Sequence, residues 1–359
     1  MKRIAALPVL VLAVLLSSCL KDKFTRTYTV YKPILQSKQE VRNSISSGAA
    51  RQVEAPGKIF VYGNTIFLNE IDKGVHIIDN TNPAAPRQQA FISIPGNLDI
   101  AVKGNTLYCD FYDELLAIDI SNPLQARLTA AIPQVFPGRS FSNFLDSNYV
   151  VVGWERHDTT IRFSDGACKE GQVLAAFNGQ VLTMTGGGAS GLSAPTGLAG
   201  SMARFALVND WLYTVNYHEL FAFDISDAMH PQQRSRMDAG WMIETIYPFA
   251  DRLFLGAQAG MYMFDITNPS APAARGQFIH ARACDPVVAD HNFAYITLRS
   301  GSVCVGTQNE LNIVDITDLA APRLVNSIAL TNPHGLAKDG NHLFICDGSG
   351  GLKYFNAQV

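Results

Sequence analysis

Gly260–Pro272 reads GMYMFDITNPSAP, and the rest of the chain takes its meaning from this phrase. An apolar strand ends in Asp-Ile-Thr-Asn-Pro, and the tail of the phrase is a turn with a second proline behind it. The phrase returns as GVHIIDNTNPAAP from Gly74, ELLAIDISNP from Glu114, ELFAFDISDAMHP from Glu219 and ELNIVDITDLAAP from Glu310, and a clipped copy, GLKYFNAQV, closes the chain. Repetition at such intervals is the signature of a solenoid, a propeller or an array.

A second phrase recurs independently from Pro56 onward: an apolar strand, a two-residue turn and another apolar or aromatic strand. Its copies are IFVYGNTIFL, IAVKGNTLYC, NFLDSNYVVV, FALVNDWLYT, IYPFADRLFL, VVADHNFAYI and LAKDGNHLFI, with turns beginning at Gly63, Gly104, Ser147, Asn209, Ala250, His291 and Gly340. Gly-Asn pairs supply the positive φ of a tight hairpin. The spacing is about 41 residues, with wider steps before Asn209 and Gly340. Each copy therefore holds four strands: two around the Gly-Asn turn, a third ending in Asp-Ile, and a fourth after the Asn-Pro turn. Four short antiparallel strands per repeat predict an all-β fold, a seven-bladed β-propeller of four-stranded antiparallel blades over residues 56–359. A blade cannot bury both faces alone, so the copies form one domain. Copy three departs from the pattern, and its third strand falls at Thr160–Phe163 or Val173–Phe177. Copy seven stops after its third strand, so the ring is expected to close with a strand donated from within Thr27–Ala55.

The N-terminus has another task. Lys2 and Arg3 precede an apolar run from Ile4 to Leu16, followed by Ser17-Ser18-Cys19. This is a secretory signal peptide over residues 1–18, too short for a permanent membrane span. Its ending resembles a bacterial lipobox, which implies lipidation at Cys19. Residues 19–55 then form a polar tether with an extended piece at Thr27–Leu35 and a helical turn near Glu40–Ile45. Charged residues beside the anchor resemble surface-export signals of Bacteroidota lipoproteins.

The phrases GVHIIDNTNP, LLAIDISNP and LNIVDITD carry a family resemblance: the chain resembles the LVIVD-repeat β-propeller lipoproteins of Bacteroidota across Pro56–Val359. The resemblance implies a fold and a compartment, namely an outer-membrane lipid anchor on the periplasmic or cell-surface side. It implies no activity.

The chain has 359 residues, 47% hydrophobic, with a net charge of −3, and offers no basic excess for nucleic acid. The Gly-Asn and Asn-Pro turns emerge at one end of every blade. Second-to-third turns and the lead-ins to each first strand emerge at the other, the channel mouth. Both insertions start at the mouth, where propellers commonly keep binding surfaces. First strands line the channel, and their leading residues bring Lys58, Asp99, Arg204, Glu244, Asp285 and His334 to the mouth, with Glu70, Asp72, His157, His218, His280, Arg299 and Asp347 around them. These charges either pair with one another across the channel or receive a ligand.

Cys284 and Cys304 both lie on the mouth side of copy six, so a disulfide between them is expected. Cys109 and Cys346 end second strands and are expected in the core, and Cys168 has no assigned role. The recurring Asp79, Asp119, Asp224, Asp265 and Asp315 are expected to cap turns. Gly186–Gly191 lacks the Lys-Ser/Thr tail and helix of a phosphate loop. No metal, cofactor or catalytic residue is assigned. The functional expectation is a binding or scaffolding module at the cell envelope, with an envelope protein or glycan at the mouth. The alternatives are a carbohydrate-active or other propeller enzyme using the same mouth, and a purely structural envelope protein.

Overall fold

The computed structural model describes residues 24–136, 148–163, 181–183, 203–280, 286–300 and 306–357. The chain divides into two compact units: Met1–Gln36 with Val151–Ser193, and Ser37–Val150 with Ala194–Val359.

The smaller unit holds a three-stranded sheet with Phe24–Ser37 between Tyr149–Phe163 and Val181–Thr183. Its central strand is pinned by Thr29 Oγ1, which donates to Asp158 Oδ1 at 2.7 Å. The extended piece expected at Thr27–Leu35 is present, and Thr160–Phe163 belongs to the long strand beside it. The other position considered for copy three's third strand, Val173–Phe177, lies outside the described residues.

The larger unit holds the other six copies as antiparallel sheets. Copies two, four, five and six are four-stranded in chain order. Their first strands are Ile100–Lys103, Phe205–Val208, Ile243–Phe249 and Val287–Ala289. Copy one (Pro56–Ser93) has the same four strands and a fifth, Ser46–Ala49, on its outer edge. Copy seven has three: Gly335–Asp339, His342–Cys346 and Leu352–Asn356. The architecture is that of a β-propeller, and seven described sheets are in keeping with seven copies.

First strands touch in the order one, two, four, five, six, seven. An apolar cluster fills the space between each successive pair. Phe67, Val75 and Ile77 meet Ile100 and Leu107; Tyr108 and Leu115 meet Phe205 and Phe221; Tyr213 and Val215 meet Ile246 and Leu255. Phe254 and Met263 meet Val287 and Ile296, and Val288 and Tyr295 meet Leu336 and Ile345. Two expectations change here. Copies two and four touch directly, because the described part of copy three pairs with the N-terminal strand instead. The strand supplied by the N-terminal segment joins copy one rather than copy seven.

Copy seven consequently shows one apolar face to solvent, with Phe344 at 37%, Tyr354 at 54% and Leu352 at 68% exposure. Cys346 lies on that face and is exposed, contrary to expectation, whereas Cys109 is buried. Copy one likewise exposes Ile59 and Val61.

The turn chemistry follows the repeat. Gly63, Gly104 and Gly340 adopt φ of 56°, 56° and 53°, and where glycine is missing Asn209 and Ala250 take the same conformation at 52°. The recurring aspartates cap turns. Asp265 Oδ1 accepts the Thr267 N–H at 2.8 Å and its hydroxyl at 2.6 Å, and Asp79, Asp119, Asp224 and Asp315 each accept a backbone N–H two residues on. The other carboxylate oxygen of Asp119, Asp224 and Asp265 takes an arginine from the fourth strand. Thr267 and Arg275 hold the Asp265 carboxyl at about 2. Second-strand tyrosines then reach the Pro-containing turn of the neighbouring sheet: Tyr108 Oη donates to Ala228 O at 2.7 Å, and Tyr213 Oη to Pro269 O at 3.0 Å.

Ala250→Gly relieves a left-handed alanine and is expected to raise stability by about 0.5–1 kcal/mol. Tyr213→Phe removes an inter-sheet hydrogen bond and is expected to lower it by about 1 kcal/mol. Urea unfolding midpoints check both, and a loss of stability in Ala250→Gly would contradict the turn assignment.

Candidate functional site

At the mouth-side end of the larger unit, the second strand of several copies ends in a polar side chain that captures the backbone of the chain nearby. Asp110 Oδ1 accepts the Leu98 and Asp99 N–H groups at 2.7 and 3.0 Å. Asn216 Oδ1 accepts from His218 and Glu219, and Asp347 accepts from Thr331 and Asn332. A buried carboxylate or amide is tolerated only with such partners.

Asp99 sits on this base, 3% exposed at the start of copy two's first strand. Its Oδ1 receives Lys58 Nζ at 2.6 Å and the Ile100 N–H at 2.7 Å, and its Oδ2 accepts the Arg204 backbone N–H. One carboxylate thus joins the first strands of copies one, two and four. Of the six residues picked at the mouth, these are the three that the structure brings together, Arg204 through its backbone. The Arg204 guanidinium lies 5.5 Å over the Tyr217 ring.

The others engage their own surroundings. Glu244 accepts from Gln258 Nε2 at 3.0 Å. Arg299 Nη1 lies 2.6 Å from His334 Nδ1, and Asn332 Nδ2 lies 3.2 Å from Nε2. Burial, together with the Arg299 charge, pushes the His334 pKa below 6.5 and favours its neutral form at pH 7. Asp285, Cys284, Cys304, Cys168 and Cys19 lie outside the described residues.

Glu70 is a second buried carboxylate on this end with three side-chain partners. It is fully buried and meets His76 Nε2 at 2.8 Å, Arg51 Nη2 at 2.9 Å and Lys73 Nζ at 3.3 Å. Burial raises its pKa, but hydrogen bonds from His76, Arg51 and Lys73 outweigh that and bring it to about 2.

A helix at Lys38–Asn43, close to the turn expected near Glu40–Ile45, docks on copy two's second-to-third turn. Ser37 and Glu40 form a capping box at its start. Lys38 pairs with Asp113 at 2.6 Å and Arg42 with Glu114 at 2.8 Å. These residues wall a cavity of about 410 Å³ with Gln134 and Asn148. Its two cations and two carboxylates neutralise one another.

An aromatic feature went unnoticed in the sequence. Trp241, in the lead-in to copy five, is 67% exposed and meets His218 with ring centroids 4.3 Å apart and planes tilted by 45°. No motif marks a lone tryptophan in a loop. Among the described residues, no group of three or more His, Cys, Asp or Glu is placed to hold a metal ion.

Comparison with known families finds the LVIVD repeat at residues 97–129 and 282–329, so the chain carries LVIVD repeats in copies two and six. No curated protein matches it. Among solved structures, a protein from Lactobacillus plantarum is similar at 12% identity and TM-score 0.53, covering 92% of this chain and 95% of that one. BamB from Moraxella catarrhalis is similar at 12% identity and TM-score 0.43, covering 84% and 85%. The first likeness is one of fold.

Asp99→Ala strips Lys58 of its partner and releases a bond between first strands, with an expected loss of about 3 kcal/mol in chemical unfolding. Glu70 gives a pH signature. Its folded pKa lies below its ordinary 4.5, so its contribution is present above pH 4.5 and is lost as pH falls toward about 2. Unfolding midpoints measured from pH 5 to pH 2.5 should fall, and Glu70→Gln should flatten that part of the slope; an unchanged slope would refute the assignment.

Proposed function

We propose that the protein is an exported lipoprotein, held at the outer membrane by a lipid on Cys19, whose propeller acts as a binding or scaffolding module. Its mouth-side end receives an envelope protein or a glycan. One observation carries this reading: the described charges at that end are taken up by separate partners, some in the same copy and some in the next, rather than aimed at one point. Asp99 links Lys58 to the Arg204 backbone, Glu244 takes Gln258, and His334 takes Arg299. Catalysis by acid and base groups concentrates them within hydrogen-bond reach of one reacting atom. Charges spread along successive first strands instead stiffen a surface, and a stiff surface loses less entropy on binding.

The anchor rests on the sequence of residues 1–19. No helix of the described residues is long and apolar enough to cross a membrane.

Two measurements test the proposal. Labelled palmitate should enter the protein in cells and be lost in Cys19→Ser. A photo-crosslinking residue at Ala259, in copy five's mouth-side turn, should give adducts in cells, whereas one at Thr267, in the opposite turn, should not. Equal yield from both ends, or none from Ala259, would overturn the mouth-side assignment.

A further inference from the structure

Trp241 stands in water on a loop that leaves it little freedom. Before it, the Ala239 N–H donates to His218 O at 2.8 Å. After it, the Ile243 N–H donates to Tyr217 O at 3.0 Å, and the Gln258 N–H donates to Met242 O at 3.2 Å. The Gly240 N–H is held by Asp238 Oδ1 at 3.1 Å, and the Trp241 N–H points to Tyr262 Oη at 3.4 Å.

The backbone is also committed sterically. Gly240 has φ of 140° and lies so close to the Tyr262 ring that a Cβ there would come within 2.4 Å of it. Met242 takes φ of 55°, an unfavourable conformation for a residue with a side chain. Met242 therefore holds a costly geometry immediately after Trp241, as backbone strain at functional sites does, and Gly240 before it admits no side chain. The loop's product is an indole ring that is mostly open to solvent, with the His218 ring against part of it. An aromatic ring of this size would contribute more to stability if buried.

We propose that Trp241 is a stacking platform for a neutral glycan, with His218 and Asp238 as the polar groups beside it. This deepens, and rests on, the reading of the mouth-side end as a binding surface. The chemistry selects the ligand. A pyranose ring offers a face of C–H bonds made slightly positive by neighbouring oxygens, which matches the negative face of an indole. Its hydroxyls lie around the rim, where they meet the His218 imidazole and the Asp238 carboxylate. An apolar peptide side chain asks instead for a pocket that encloses it, and Trp241 is 67% exposed. An anionic ligand would meet Asp238, which is exposed at the end of the strand leading into the loop.

The test uses the full chain and a panel of maltohexaose, cellohexaose, xylohexaose, mannohexaose and chitohexaose, with hexagalacturonate as the charged control. The expected result is that at least one neutral hexasaccharide binds by calorimetry and shifts tryptophan emission, with little change between low and high salt. Trp241→Ala should weaken that binding at least tenfold with an unchanged melting temperature, and Trp241→Phe should weaken it only a few-fold. Absence of binding across the panel at millimolar concentration, preference for hexagalacturonate, or full binding by Trp241→Ala would overturn the proposal. A silent panel with a protein captured at Ala259 would leave the mouth-side reading standing and remove the glycan.

Discussion

A sheet that is apolar on both faces must find another sheet on each side. This constraint governs the larger unit, because every copy alternates inward and outward apolar residues. Phe60, Phe67, Ile77 and Ala90 share one face of copy one across its register, while Ile59, Leu68, His76 and Phe91 share the other. The first face is covered by copy two. On the second, the N-terminal segment lays Arg51 over the Phe91 ring at 3.6 Å, while Ile59 remains in solvent. Copy seven shows the same asymmetry, with Leu336, Leu343 and Ile345 packed against copy six and Phe344 and Tyr354 exposed. Where two copies meet, by contrast, both faces are dry. The repeat thus accounts for the interior and for where the interior stops.

The same repeat divides the two ends of the sheets by chemistry. The end bearing the Asn-Pro turns is nearly identical from copy to copy: a carboxylate, a Thr or Ser two residues on, and an arginine from the fourth strand where there is one. Sameness of this kind belongs to construction, since each copy needs the same reversal of the chain. The mouth-side end is different in every copy. Glu70 gathers three cationic or imidazole partners, Asp99 ties three strands, Asp113 and Glu114 seat a helix, and copy five presents an indole. The binding role proposed above is accordingly assigned to the end that varies.

The sequence exposed the repeated features because they are local. A Gly-Asn turn and an Asp-Ile-Thr-Asn-Pro reversal each specify their geometry within a few residues, so strands and turns in six copies could be placed by counting. Where a residue's role depends on a partner far along the chain, counting fails. Nothing near Ser46–Ala49 says that its partner is Arg87–Ser93 rather than copy seven. Nothing near Phe24–Ser37 says that it pairs with residues from copy three. Cys346 was misplaced for the same reason: alternation puts it on a face, and only tertiary packing decides whether that face is covered. Asp110 and Asn216 did carry a signal, as polar residues closing otherwise apolar second strands. Trp241 carried none, because exposure is a property of the fold.

The mouth charges illustrate how burial redirects a residue's role. In the sequence, Lys58, Asp99, Arg204, Glu244, Asp285 and His334 read as a ring of ionisable groups that either pair across the channel or receive a ligand. Folding commits the described ones to neighbours. Asp99 loses water and regains its hydrogen bonds from Lys58, Ile100 and Arg204. A buried ion pair of this sort adds little net stability, because desolvation offsets the attraction. It does fix which strands lie side by side, since any other register would leave the carboxylate without partners. That cost forces Asp99 to remain a structural node. In the reading proposed above, recognition beside it comes from shape, stacking and directed hydrogen bonds, which is the chemistry that an exposed, rigidly held indole supplies.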